Sequence, residues 1–264
     1  MTRTDGLPTA LAQQGKVGDL MENQVWHFAR VQKTAGDSLR TYLHELFPQD
    51  AICPHMFEYQ LNADPSDRKY NLYTGHISIA ALSKRVPDAR LILLLRDPQE
   101  RLISAYHFWK DMGHHPANRD NPFFIRLRKL TLLEYLTSDD PMLRASSHNV
   151  QARMLAGGRF GDSNAGRTGI YGPDMSEGDI LALAKRTLDR AFFVGLQHRL
   201  DESATRLMGK MGRPLPAKYY ALNKGEARKS APPPTAEERD VLKALTVSDQ
   251  AVFDYACELF ENDR

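Results

Sequence analysis

Two clusters of residues have the types and spacing to hold anionic groups. The first is Gln32-Lys33-Thr34-Ala35-Gly36-Asp37-Ser38. Small residues around one lysine let a phosphate or sulfate approach the backbone. Where such a loop opens a helix, unpaired N–H groups and the helix dipole attract the anion. Lys33 adds a mobile cation with three donors. The second cluster is Arg96-Asp97-Pro98-Gln99-Glu100-Arg101-Leu102-Ile103-Ser104-Ala105-Tyr106. A guanidinium fork and a hydroxyl about two helical turns further on suit a second phosphate. Taken singly, the Lys33 stretch is an ordinary strand–helix turn and Arg96 a salt-bridge partner. Taken together they describe a site for two separate anions. The first cluster is not a Walker A loop, because Gln32 stands where that pattern needs glycine before the lysine.

The surrounding elements must place these clusters. Val25–Val31 alternates like a half-buried strand. Leu39, Tyr42, Leu43, Leu46 and Phe47 then fall on one helix face, and Pro48 ends it. The run LILLL at 91–95 is apolar on both faces, as a central parallel strand requires. Asp97 suits the cap of the next helix, Pro98 its first position and Glu100 its third, and the helix should reach about Asp111. AFFVGL at 191–196 reads as a further strand, followed by an amphipathic segment from His198 to about Met211. Strands alternating with helices predict an α/β fold with a parallel sheet, and ligands of such sheets bind at the carboxyl ends of the strands. Helical spacing also covers Ile125–Leu136 and Ser176–Leu188, while 157–173 reads as a glycine-rich loop. Residues 236–260 read as a closing helix or pair of helices. Residues 1–22 are expected to be a loose tail and 23–264 a single domain.

Composition narrows the class further. The 264 residues are 42% hydrophobic and 26% charged, which excludes a disordered chain, a collagen-like chain and a disulfide scaffold. Thirty-five basic residues against 33 acidic ones give a net charge of +2, too little for general nucleic-acid binding, so any anion site is local. Two cysteines, Cys53 and Cys257, fit a reducing compartment. The first 20 residues hold no long apolar run, and no stretch approaches a membrane span. The expectation is a soluble, cytoplasmic protein with no membrane segment and no nucleic-acid partner. His107, His114 and His115 lie near one another, but no Cys or Glu completes a metal spacing, so no metal is expected.

The two clusters together resemble the sulfotransferases that use 3′-phosphoadenosine 5′-phosphosulfate. The likeness is closer to the carbohydrate branch that includes heparan sulfate 2-O- and 6-O-sulfotransferases. Lys33-Thr34-Ala35-Gly36-Asp37-Ser38-Leu39 is similar to the 5′-phosphosulfate loop of that family, and Arg96-Asp97-Pro98-x-x-Arg101-x-x-Ser104-x-Tyr106 to its 3′-phosphate motif. Thr74-Gly75-His76-Ile77-Ser78 is similar to a Gly-His stretch that carries the base. Asn149-Val150-Gln151-Ala152-Arg153-Met154-Leu155 resembles a segment seen as N-x-Q-x-R-x-L. Phe193–Leu196 with Leu200–Ser203 resembles a late strand and helix, and Asn223-Lys224-Gly225 a cofactor-covering loop.

The resemblance implies a P-loop-like three-layer fold and in-line transfer of a sulfuryl group to an acceptor hydroxyl on a carbohydrate or glycoconjugate, without metal. Lys33 would stabilise charge on the leaving oxygen and the transferring sulfuryl. His76 would be the base, a role that suits imidazole at neutral pH. The N–H groups of Ala35, Gly36 and Ser38, within the loop Lys33, Thr34, Ala35, Gly36, Asp37 and Ser38, would hold the 5′-phosphosulfate. Arg96 and Ser104 would hold the 3′-phosphate, with Lys224 and Arg228 closing over it. The chain departs from the family pattern at Gln32, Ala35, Asp37 and His198. Asp37 puts a carboxylate near an anion site, unfavourable unless it caps the helix or points away. Two other readings stand beside this one: a P-loop nucleotide kinase, which needs Mg²⁺, and a non-catalytic nucleotide- or glycan-binding protein on the same fold.

Overall fold

The computed structural model describes residues 24–66, 69–161, 169–172, 175–214 and 232–263. Its centre is a four-stranded, wholly parallel sheet flanked by helices. The strands are β1 (Trp26–Phe28), β2 (Leu72–Tyr73), β3 (Arg90–Leu95) and, late in the chain, Phe193–Leu196. Their order in the sheet is β2, β1, β3 and then the late strand. Ile92 to Leu95 are fully buried, which is why the run is apolar on both faces. The first strand is shorter than its alternating pattern. Only Trp26 to Phe28 pair with both neighbours or with β3, and the chain leaves the ladder after one further bond from Ala29 N–H to the Ile92 carbonyl, at 3.1 Å.

Between these strands run α1 (Gly36–Glu45), α2 (Glu58–Ala63) and α3 (Ile79–Arg85). After β3 come α4 (Pro98–Met112), α5 (Pro122–Leu127), α6 (Leu132–Leu136), α7 (Pro141–Ser147) and α8 (Val150–Leu155). A hairpin of β4 (Arg159–Phe160) and β5 (Ile170–Tyr171) precedes α9 (Glu177–Arg190) and β6 (Phe193–Leu196). The chain ends with α10 (Leu200–Lys210), α11 (Ala236–Leu245) and α12 (Val247–Asn262).

Three helices begin alike. Asp97, Asn121 and Asp140 each accept a first-turn N–H through the side chain, and each is followed by proline at the first helical position. The expected single helix over 125–136 is instead two. Thr131 forms a capping box with Glu134, its own N–H donating to Glu134 Oε2 at 2.7 Å, and so starts α6 afresh. The stretch 157–173, expected to be a loop, contains the β4–β5 hairpin at its ends. The closing segment is a pair of helices, α11 and α12.

Three apolar clusters hold the layers. The largest joins β1, β3 and β6 to α1, α8, α9, α10 and α12. A second lies under α4 to α7 and takes in Leu242 of α11. A smaller one, with Cys53, Leu61, Tyr73, Ile77 and Leu82, supports the β2 edge. Each fully buried Leu, Ile or Phe contributes on the order of 1.5–3 kcal/mol of transfer free energy. The site below is therefore built on the most strongly buried strands. Cys53 and Cys257 are both free. Among the described residues no helix is long and apolar enough to cross a membrane.

Candidate active site

From β1 the chain crosses to β2 on one side, and from β3 it continues to β6 on the other. The carboxyl ends of β1 and β3 therefore flank the point where the topology reverses, where open α/β sheets place their ligands. The Lys33 loop follows β1 and Arg96 follows β3, so both clusters open at that crevice. They touch: Arg96 Nη1 donates to the Lys33 carbonyl at 3.2 Å.

The loop is tightly wound. Lys33 and Ala35 both have left-handed backbones, with φ of 69° and 63°. Non-glycine residues adopt this region at a cost of order 1 kcal/mol or more, and such strain collects at functional sites. Buried Thr34 between them ties the turn down, its hydroxyl donating to the Val31 carbonyl at 2.9 Å. Ala35 is the cap residue of α1 without a side-chain cap bond. The first turn of α1 therefore has no capping side chain at Ala35. Ser38 N–H donates to the Ala35 carbonyl at 3.2 Å, so that donor, expected to face an anion, also closes the turn. Lys33 Nζ rests 3.8 Å from the centroid of the half-exposed Phe108 ring on α4.

Asp37 neither caps α1 nor stands alone. Its Oδ1 accepts from Arg30 Nη2 at 2.5 Å, with Arg40 Nε 3.8 Å away. The carboxylate is matched by buried Arg30, which relieves the conflict with a nearby anion. Sequence spacing did not single out Arg30, yet it organises this side of the site. Its Nη1 donates to the Thr74 carbonyl at 3.3 Å, and its backbone carbonyl accepts from the His76 ring. Gly36 gives Arg30 room, since a Cβ there would come within 3.1 Å of Arg30 Nε and the guanidinium would have to shift. One signal was available: an arginine inside an otherwise apolar strand pattern, which burial forces to find partners.

His76 lies just after β2, half-buried between Phe57 and Phe160, with ring centroids 6.0 and 5.4 Å away. Its Nδ1 is 3.3 Å from the Arg30 carbonyl. A carbonyl oxygen only accepts, so Nδ1 carries the proton and Nε2 keeps a free lone pair. Burial, reinforced by the Arg30 charge, lowers this imidazole to about 4, so it is neutral at physiological pH. Gly75 lets the irregular His55–Met56 segment pack closely, since a Cβ would meet the His55 and Met56 carbonyls at 2.5 and 2.8 Å.

Arg96 is buried at the end of β3, and its Nη2 pairs with the exposed Glu100 carboxylate at 3.0 Å. Gln151 of α8 grips its backbone from both sides. The Arg96 N–H donates to Gln151 Oε1 at 3.1 Å, and Gln151 Nε2 donates to the Arg96 carbonyl at 2.9 Å. Ser104 stands half-buried in the second turn of α4. Lys33, Thr34, Ala35, Gly36, Asp37, Ser38 and Arg96 are thus brought together, and His76 is tied to them through Arg30. Lys224 and Arg228 lie outside the described residues. Ser203 is structural, its hydroxyl bonding both backbone groups of Leu196 at 2.9 and 3.1 Å. Among the described residues no group of three or more His, Cys, Asp or Glu could hold a metal ion.

Two cations, a strained loop, a helix N-terminus without a side-chain cap and a neutral histidine thus gather at a sheet switch point. Residues 20–138 match the family model described as a sulfotransferase domain. The match runs from before β1 through α6 and includes Lys33, His76, Arg96 and Ser104. It supports a transferase of sulfuryl groups as the class of protein. No curated protein matches the chain.

Proposed function

We propose that the chain transfers a sulfuryl group from 3′-phosphoadenosine 5′-phosphosulfate to a hydroxyl, on a carbohydrate or glycoconjugate acceptor. The observation that carries the reading is the contact between the Arg96 guanidinium and the Lys33 carbonyl, which couples the two anion-binding clusters at the switch point. Lys33, Thr34, Ala35, Gly36, Asp37 and Ser38 form the loop for the 5′-phosphosulfate, where first-turn N–H groups hold the anion. Arg96 and Ser104 receive the 3′-phosphate, and Lys224 with Arg228 close over the nucleotide. The donor supplies an activated sulfur whose bond to the phosphate oxygen breaks as the acceptor oxygen bonds to it.

The residues of this chain then have separate tasks. Lys33 leaves the Phe108 face to stabilise charge on the bridging oxygen and the sulfuryl oxygens. His76 takes the acceptor proton at Nε2, with Nδ1–H held by the Arg30 carbonyl so that the lone pair points one way. Arg30 keeps the Asp37 carboxylate from repelling the donor.

Calorimetric titration with adenosine 3′,5′-bisphosphate, with ATP–Mg²⁺ as control, tests the reading. Metal-independent binding of the bisphosphate, lost in Arg96→Ala, is the expected result. No binding, or preference for ATP–Mg²⁺, overturns it in favour of a nucleotide kinase or a non-catalytic binding protein.

A further inference from the structure

Next to Arg96 of the candidate site lies a buried polar system contributed by α4, α8 and α12. Arg101, Gln151 and Asp249 are all fully buried. Charged residues are almost never fully buried unless they are paired, yet the three Arg101 guanidinium nitrogens and Asp249 Oδ2 have no hydrogen-bond partner among the described residues. Asn149 and Asp249 cap one another's helices. Asn149, left-handed at φ 42°, accepts at Oδ1 from the Ser248 and Asp249 N–H groups at 3.0 and 3.1 Å, at the start of α12. Asp249 Oδ1 in turn accepts from the Ala152 N–H at 2.7 Å, at the start of α8. Burial pushes the Asp249 carboxyl up, and this is opposed chiefly by the Arg101 charge, then by the Ala152 and Gln151 N–H groups. Arg101 sits on α4, one turn past the Asp97 cap.

These groups lie in series. Asp249 fixes the first turn of α8. That turn carries Gln151, which holds both backbone groups of Arg96. Arg96 then reaches the Lys33 carbonyl. A guanidinium at a strand end is aimed by its backbone as much as by its own rotamer. A buried amide bonded to N–H and C=O of one residue fixes that backbone direction.

We propose that Gln151 and Asp249 are positioning residues for the donor site: Asp249, through its bond to the Ala152 N–H, anchors the N-terminus of α8 so that Gln151 aims the Arg96 guanidinium at the 3′-phosphate. The proposal rests on the donor assignment above. It makes the last helix, more than a hundred residues beyond the matched domain's end at 138, a working part of the nucleotide site.

The test uses the full chain and two ligands, adenosine 3′,5′-bisphosphate and adenosine 5′-phosphate, titrated by calorimetry. The ratio of their affinities isolates what the 3′-phosphate contributes. In the wild type the bisphosphate binds more tightly. Gln151→Met keeps length and bulk but cannot bond the Arg96 backbone. It is expected to lower the ratio about tenfold, the scale of lost buried hydrogen bonds, with 5′-phosphate affinity falling less than bisphosphate affinity. Asp249→Leu, which removes the acceptor of the Ala152 N–H, is expected to shift the ratio the same way, and either variant alone decides if the other does not fold. In an Arg96→Ala background, Gln151→Met should change the ratio no further. A purely structural role would lower the melting temperature and leave the ratio at its wild-type value, which overturns the proposal while the donor assignment stands. A wild-type ratio of one overturns the donor assignment and this proposal with it.

Discussion

Arg96 Nη1 donates to the backbone carbonyl of Lys33 across 3.2 Å, joining two residues separated by 63 positions in the chain. One is the mobile cation of a strained loop. The other is a buried guanidinium at the end of the central strand. Because the bond goes to backbone, it sets the shape of the loop whatever the Lys33 side chain does. The same guanidinium is aimed at the crevice, so loop shape and anion binding are coupled.

That coupling predicts a large effect of Arg96 substitution. Arg96→Ala should weaken adenosine 3′,5′-bisphosphate roughly 10- to 100-fold, since a charge-assisted bond is worth about 1.5–3 kcal/mol. Arg96→Lys should recover little, because an ammonium lacks the fork that spans the ligand and the Lys33 carbonyl. Calorimetry on the three proteins checks this; full recovery by lysine would mean that charge alone matters.

Glu100 competes for the same guanidinium. Its carboxylate is exposed and pairs with Arg96 at 3.0 Å, so the pair is cheap to open. Glu100→Gln should raise bisphosphate affinity by a few-fold, up to the roughly 1 kcal/mol an exposed ion pair contributes. Weaker binding in that variant would show that Glu100 orients Arg96 instead of screening it.

His76→Ala should lower turnover by about 10²–10⁴ while leaving nucleotide affinity intact. Because the imidazole is lowered to about 4, it stays neutral from pH 6 to 8. The rate over that range should therefore show no inflection near the ordinary histidine value. A pH–rate profile that breaks between 6 and 7 in the wild type would show that His76 is not lowered, or that another group titrates in the rate-limiting step.

Acid should destabilise the fold through His27 as well. Burial lowers His27 to about 4, opposed by its bond to the Ile77 carbonyl. The unfolded state binds the proton first, so stability is present above the unfolded value of about 6.5 and is lost as pH falls toward about 4. For fully buried His27 the loss approaches roughly 3 kcal/mol. Urea midpoints at pH 7 and 4.5, compared in wild type and His27→Gln, should show a smaller pH effect in the variant.

The Arg30–Asp37 pair offers a stability test near the site. Arg30 is buried and Asp37 is 42% exposed, so removing the carboxylate leaves a buried cation partly stranded. Asp37→Asn should cost about 1–2 kcal/mol, below the loss for a fully buried pair, and Arg30→Met should loosen His76 as well. Chemical denaturation of both variants gives the numbers.

Much of this was legible in the chain itself. The LILLL run reads as a central parallel strand because it is apolar on both faces, and Ile92 to Leu95 are fully buried there. Asp97-Pro98-x-Glu100 marked the start of α4, and the small residues after Lys33 marked the loop. These signals are local: periodicity, caps and permissive backbone act within a few residues. Thr131-x-x-Glu134 was also local, and its capping box divides a stretch that periodicity alone reads as one helix. The β4–β5 hairpin, by contrast, lies between glycines that carry no strand pattern.

Tertiary structure decided what the charges do. Asp37, awkward beside an anion when read along the chain, is matched by Arg30 from the end of β1. Arg30 then orients His76 from the far side of β2. Gln151 stands in the sequence only as part of a segment resembling N-x-Q-x-R-x-L, and Asp249 only within a closing helix, with no partner assigned to either. Such roles depend on which residues burial brings within 3 Å of each other. In a dry interior a polar group must find its partner wherever the fold places one, and sequence separation has no bearing on that distance.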